Sequence, residues 1–362
     1  MKGDFVMKKR IESLRKLLWL LVLLPLTACQ SPRVQTPVTT PQPYMRVTRE
    51  ANGAASLDIV IREMRAPSKK APVIYLVGVS HIGEEAYYET VQQRLEAMEL
   101  VMFEGVRASE ERAKPKAHDP NTPPPRKMPK RTGGEFSLQA ELAKSLGLSF
   151  QLDAIDYERP HFLNSDMTIA QISEILNPPP PPGAKGRMVP ANPDEDTGAA
   201  QFNNLMSAMD GSGFLGGVIQ MGVKFIGANT KLQTLVKLSF IEVLGSLEGD
   251  ISRLELPSPG LQELLHVLIE KRNRVVMDDL QATLAEKTPP KSIAIFYGAA
   301  HMPDMETRLQ TEFGYRPAKD EWLKAFGVDP VKAGVTPAEI QLIKGVVDWQ
   351  LQQLKQLKPT GK

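Results

Sequence analysis

A repeated pattern constrains the fold more than any other feature of the chain. Pro72 to Val77 (PVIYLV) and Ser292 to Tyr297 (SIAIFY) are uninterrupted apolar runs. Each leads into Gly, two small or apolar residues and His: Gly78-Val79-Ser80-His81 and Gly298-Ala299-Ala300-His301. A short apolar run without polar alternation reads as a strand buried on both faces, the kind found in parallel α/β sheets. Sites in such sheets open at the carboxyl ends of the strands. Gly permits a tight turn and a close backbone approach there, so each His is carried over that edge. The pattern predicts one crevice that receives both imidazoles. It also predicts a single domain, because the two segments must meet.

Glu84 to Leu100 has helical periodicity, with Ala86, Val91, Leu95 and Met98 on one face. Val101-Met102-Phe103 then returns as a strand that ends in Glu104. A strand-helix-strand unit implies parallel pairing, which brings Glu104 to the edge that carries His81. Two imidazoles and a carboxylate suit Zn, Mn or Co. They equally suit a metal-free general base with an orienting acid. Arg272, on the helix before the second motif, is placed to orient Glu104 or to bind a substrate carboxylate or oxyanion; the plain alternative is a surface salt bridge.

The rest of the chain fits around this frame. Residues 44–50 and 57–63 alternate about Ala51-Asn52-Gly53, the signature of a hairpin. Glu135 to Leu146 reads as a helix stopped by Gly147, and Phe150 to Ile155 as a strand. Residues 201–247 are mostly helical, Leu261 to Leu284 forms a long helix, and Thr336-Pro337-Ala338-Glu339 starts a last helix that runs to about Leu357. Residues 109–133, with six prolines, and 177–200, with five in a row, read as disordered insertions. The expected fold class is α/β: a central mixed sheet with helices on both faces and a helical insertion near 165–250, all within residues 44–358. Asp153 and Asp156 are expected as turn or cap residues, Asn164-Ser165-Asp166 as a helix cap, His161 as a solvent-facing loop residue, and His266 as a packed helix residue. His118 falls in the first insertion.

The N-terminus carries an address. Lys8, Lys9, Arg10, Arg15 and Lys16 precede the uncharged aliphatic run Leu17 to Leu26, and Leu26-Thr27-Ala28-Cys29 follows in the pattern of a lipobox. The run is too short to span a bilayer, and it works equally well from Met1 or Met7. Residues 1–28 are therefore expected to be a lipoprotein signal peptide, and Cys29, the only cysteine, the lipidated N-terminus of the mature chain. Gln30 follows it in place of Asp, which makes the periplasmic side of the outer membrane the expected location. Residues 29–43, rich in Pro, Thr and Gln, read as a flexible tether. Composition matters here for what it excludes. Residues 1–28 hold six of the 44 Lys/Arg and two of the 42 Asp/Glu, which leaves 38 basic and 40 acidic side chains, so a nucleic-acid footprint is absent.

The two Gly-x-x-His segments resemble the paired motifs of the TraB/Tiki superfamily, including its GumN-like bacterial branch. Glu104 stands where that family has a Glu after the second strand. Glu270-Lys271-Arg272-Asn273 with Met277 resembles its Arg-Asn segment, and His301-Met302-Pro303 its His-Leu-Pro. The resemblance covers roughly residues 70–107 and 260–315. It implies a site formed by His81, Glu104, Arg272 and His301, with a divalent metal held by His81, Glu104 and His301. The activity it implies is hydrolysis, with a peptide or protein as substrate. A non-catalytic peptide-binding lipoprotein is the competing class.

Overall fold

The computed structural model describes residues 38–108, 138–178, 196–209, 225–246 and 258–356, with the short pieces 114–116, 222–223 and residue 256. Residues 1–28, expected to be a signal peptide, Cys29, His118 and most of both proline-rich segments lie outside the described residues. The packed unit begins at Thr39, inside the segment read as tether. Thr39 N–H and Oγ1–H donate to Gln310 Oε1 at 2.8 and 3.1 Å, which fixes the chain there.

A hairpin opens the fold, as its alternation predicts: β1 (Met45–Arg49) pairs antiparallel with β2 (Ala55–Arg65). β3 (Val73–Val79) is the first apolar run, and the short β4 (Ile82–Gly83) follows the first His. α1 (Glu85–Glu96) leads to β5 (Leu100–Phe103). Its buried face is Tyr87, Tyr88, Val91, Gln92 and Leu95; Ala86, expected inside, is exposed, and the helix stops before Leu100. α2 (Leu138–Ser145) precedes β6 (Ser149–Phe150), α3 (Gln151–Ala154) and β7 (Phe162–Asn164). The strand expected over 150–155 is thus mostly a helical turn, because Ile155 N–H returns to Gln151 O at 3.0 Å after only two paired residues.

The helical part comprises α4 (Ile169–Leu176), α5 (Gly198–Met209), α6 (Thr230–Gly245) and α7 (Pro259–His266). Residues 196–200, assigned above to the second insertion, are ordered instead: Asp196 accepts from Gly260 N–H at 3.2 Å and Thr197 from Ala200 N–H at 3.3 Å, which starts α5. A π turn, Val267–Lys271, joins α7 to α8 (Arg272–Leu284). β8 (Ser292–Gly298) is the second apolar run; a 3-10 turn and α9 (Met302–Glu312) follow, then the long β9 (Arg316–Val328) and α10 (Pro337–Gln356). Thr336 and Glu339 form the predicted reciprocal cap of α10, with Thr336 N–H donating to Glu339 Oε2 at 2.8 Å.

The chain folds as α/β, with a seven-stranded mixed sheet. β3, β8, β5 and β7 lie side by side and parallel; β2 runs antiparallel to β3, β1 and β9. β8 is central, and Ile293 to Tyr297 are fully buried, as a strand covered on both faces requires. Helices cover both faces. Arg62 of β2 points to α9, where it meets Glu306, while Arg49, which pairs with Ala55 on the opposite face, meets Glu242 of α6. A smaller apolar cluster, Met167, Ile172, Leu176, Phe202, Leu264 and Val267, ties α4, α5 and α7 together beside the carboxyl edge. Among the described residues no helix is long and apolar enough to cross a membrane.

Candidate active site

The two Gly-x-x-His turns converge because β3 and β8 are direct parallel neighbours, with Gly78 opposite Tyr297 and Val79 opposite Gly298. Neither glycine adopts positive φ; what each supplies is room. A Cβ on Gly78 would sit 3.2 Å from Ile59 Cγ2 and 3.3 Å from Val60 O, so this glycine lets β2 close on β3. A Cβ on Gly298 would sit 3.3 Å from Glu104 Oε2, 3.7 Å from His301 Cδ2 and 3.8 Å from His81 Cε1. One point above Gly298 therefore borders all three side chains. Glu104 arrives there because β5 flanks β8 on the other side, with Glu104 N–H donating to Phe296 O at 3.0 Å.

Glu104 is held on both oxygens. Gly298 N–H donates to Oε2 at 2.7 Å, and Arg272 Nη2–H donates to Oε1 at 2.7 Å. Burial alone would raise its pKa, but the charges of His301, Arg272 and His81 and the Gly298 N–H outweigh burial and hold it at about 2. Arg272 is itself clamped. Its Nε and Nη2 donate to the two oxygens of Asp166 at 2.9 and 2.7 Å, the bidentate geometry that a guanidinium favours. Asp166 is fully buried and also accepts from Gly105 N–H at 2.9 Å and Met167 N–H at 2.7 Å. The Arg272 fork is thus occupied by two carboxylates, so of its expected roles it orients Glu104; it is not placed to bind a substrate carboxylate.

His301 is 5% exposed and lies 3.5 Å through Nε2 from Glu104 Oε1. Its Nδ1 lies 2.7 Å from Asn273 Oδ1. Asn273 Nδ2 faces two acceptors, Asp304 Oδ2 at 2.8 Å and His301 O at 3.3 Å. The amide orientation is therefore fixed, Oδ1 must accept, and the proton of neutral His301 sits on Nδ1. Burial, with Arg272 and His81 adding to it, drives the His301 pKa down to about 4 against the pull of Glu104 and Asp166. Near neutrality, a neutral imidazole turns a bare Nε2 toward an ionised carboxylate. His81 is the exposed member of the trio, and its Nδ1 lies 2.8 Å from Gln151 Oε1.

No family model, curated protein or solved structure matches the chain. The residues speak for themselves on a metal. Imidazoles whose second nitrogen is held by an amide oxygen are suited to ligate a divalent cation, and a carboxylate stands beside them. That carboxylate is already paired with Arg272, and among the described residues no group of three His, Cys, Asp or Glu is placed to hold one ion. The donors fit in kind; Glu104 would have to share its charge with Arg272.

Several other positions differ from expectation. Asp166 belongs to the site, while the cap of α4 is Thr168, which accepts from Gln171 N–H at 3.1 Å. His161 is fully buried against Phe162, with Nε2 3.3 Å from Leu95 O; it packs under α1, not in solvent. His266 is half-buried, with its side chain 44% exposed and facing Glu270 one turn on, so it is packed only in part. Asp156 accepts from Glu158 N–H at 3.0 Å, the turn role expected of it. Gln151 and the buried Asp166 were missed: an amide carries no ionisable signature, and Asp166 sits in a Ser-Asp stretch that imitates a cap.

Proposed function

We propose that the chain is a hydrolase of the cell envelope, in the first instance a peptidase, with His81, Glu104 and His301 as its reacting groups. The observation that carries this reading is the single point over Gly298 bordered by all three. The resemblance of both Gly-x-x-His motifs, Glu104 and Arg272-Asn273 to the TraB/Tiki superfamily supports it. Mn, Co or Zn is the proposed cofactor; His81, Glu104 and His301 would hold it, with Glu104 shared with Arg272, and it would supply a water of pKa ~7 and polarise a peptide carbonyl. The chain's own contribution is preparation. Arg272 and Asp166 keep Glu104 ionised and aimed. Asn273 keeps the His301 Nε2 bare. His81, exposed at the mouth, is the group a substrate meets first.

The Arg272–Glu104 ion pair favours a second reading within the same site, in which no metal is needed. His81 then takes a proton from water as the water oxygen adds to the peptide carbonyl, and returns it to the amine as the C–N bond breaks. Glu104 serves as the ionised neighbour that stabilises the imidazolium.

Peptide-library cleavage followed by mass spectrometry tests the proposal. Wild type should cleave, and Glu104→Gln should keep fold and peptide affinity while turnover falls by about 10²-fold or more. Reversible loss on chelation selects the metal reading; cleavage that survives chelation but fails in His81→Ala selects the other. Peptide binding with no cleavage in the presence of Mn, Co or Zn overturns both and leaves a binding lipoprotein.

A further inference from the structure

We infer that Gln151 is a positioning residue that dictates which nitrogen of His81 does the work; the inference rests on the hydrolase reading for its purpose, though not for its geometry. Gln151 is tied to His81 twice. Its backbone N–H donates to His81 O at 2.9 Å, and its side-chain Oε1 lies 2.8 Å from His81 Nδ1. The backbone tie follows from the two-residue pairing of β4 with β6, which sets Ile82 opposite Phe150 and so places position 151 beside position 81.

The amide has its own anchor. Gln151 Nε2–H donates to the Tyr157 hydroxyl at 2.8 Å. The Tyr157 ring lies 5.0 Å from Phe103 and 6.1 Å from Phe296, centroid to centroid. Phe103 precedes Glu104, and Phe296 lies two residues before Gly298. The same aromatic cluster therefore seats the Gln151 amide and the two strand ends that carry the other half of the site. Gln151 is 3% exposed although His81 is exposed, so the contact is built from the interior and not by chance at the surface.

In the orientation the structure shows, Nε2 faces the Tyr157 hydroxyl and Oε1 faces His81. An amide oxygen only accepts, so in this orientation His81 Nδ1 carries the proton and Nε2 is the bare nitrogen. Asn273 imposes the same tautomer on His301. Two unrelated amides, one on the α2–α3 side of the sheet and one on α8, thus prepare both imidazoles alike. A hydrogen-bonded neighbour that fixes the tautomer and ring orientation is the recurrent second layer of histidine sites.

Selective 15N-histidine labelling of the mature chain, with His81→Ala to identify the resonances, tests the inference at pH 8. In wild type, His81 should show a protonated Nδ1 and a bare Nε2. Gln151→Leu, close in size but unable to accept, should give a mixture of tautomers or the reverse one. Gln151→Glu should restore the Nδ1–H form, because a carboxylate oxygen accepts as the amide oxygen does. A wild-type His81 protonated on Nε2, or a tautomer unchanged in Gln151→Leu, overturns the inference. Should no variant cleave any peptide, the hydrolase reading fails while the tautomer result still decides this one. Should Gln151→Leu prove unfolded by circular dichroism, the tautomers of wild type and of Gln151→Glu remain decisive.

Discussion

Arg272, seated by Asp166, helps Glu104 keep a charge that burial alone would not allow, and Asn273 sets the tautomer of His301. Glu104 stays ionised in a crevice because Arg272 touches it, and Arg272 stays in place because Asp166 grips it from behind. His301 stays neutral because it is buried beside a guanidinium. That neutrality has a measurable cost. The His301 pKa is about 4 in the folded chain against 6.5 for the ordinary side chain. The unfolded chain therefore binds a proton through this window that the folded chain does not, and stability falls as pH drops from 6.5 towards 4. Between pH 7 and pH 5 the loss should be on the order of 2 kcal/mol. Urea midpoints at the two pH values measure it, and His301→Gln should remove most of the difference. Glu104, with its folded pKa lowered from 4.5 to about 2, contributes the same sign only below pH 4.5, so the two groups separate along the pH axis. At this scale the sequence disclosed His81, Glu104, Arg272 and His301. It hid Gln151 and Asp166, whose roles depend on which strands are neighbours.

Strand order is the property that assembles the site. The apolar runs of β3 and β8 were legible as buried strands, and the turn after each was legible as an edge feature. Their adjacency was not, because pairing between residues 73–79 and 292–298 is set by packing across the whole chain. The long edge strand β9 escaped the sequence reading for a related reason: RPAKDEWLKAFGV opens on Arg-Pro and interleaves charged with apolar residues without regular alternation, as an exposed edge can. Its docking relies on Arg62 of β2, which is 1% exposed. Arg62 donates through Nε and Nη2 to Asp320 of β9, both at 2.8 Å, and through Nη1 to Glu306 of α9 at 2.8 Å. Tyr44 O–H donates to Glu306 as well, at 2.8 Å, with the guanidinium 4.5 Å above its ring. One side chain joins the hairpin, the edge strand and the helix that follows His301. Removing it strands Glu306 in the interior, so Arg62→Met should cost about 3–5 kcal/mol. Thermal or urea unfolding measures this, and a loss under 1 kcal/mol would show that the network is not what fastens β9. The π turn at Val267–Lys271 was equally invisible, since the apolar stripe of the helix runs through it; such turns often mark functional positions, and Arg272 and Asn273 follow it directly.

For the molecule as a whole, the fold class was legible and the extent of the ordered body was misjudged at its joins. Thr39 and Asp196 are held by Gln310 and Gly260, although proline-rich composition on their N-terminal sides suggested loose chain. The lipobox pattern that ends at Cys29 makes this residue the proposed site of lipid attachment. Cys29→Ser should therefore abolish lipid labelling and either release the protein from membranes or leave the precursor uncleaved, as fractionation with a radiolabelled or clickable fatty acid would show. Correctly processed, unlipidated chain that stays on the membrane would end the lipoprotein reading.

The central claim is that His81 and His301, 220 positions apart, work as one site. A double-mutant cycle on peptide turnover tests it most directly, with His81→Ala, His301→Ala and the pair compared under single-turnover conditions. Residues that act as a unit are non-additive: each single change should lose nearly all of the rate enhancement, and the double variant should be little worse than either. Losses that multiply, so that the double variant falls by the product of the two single effects, would show two independent contributions and contradict the shared site.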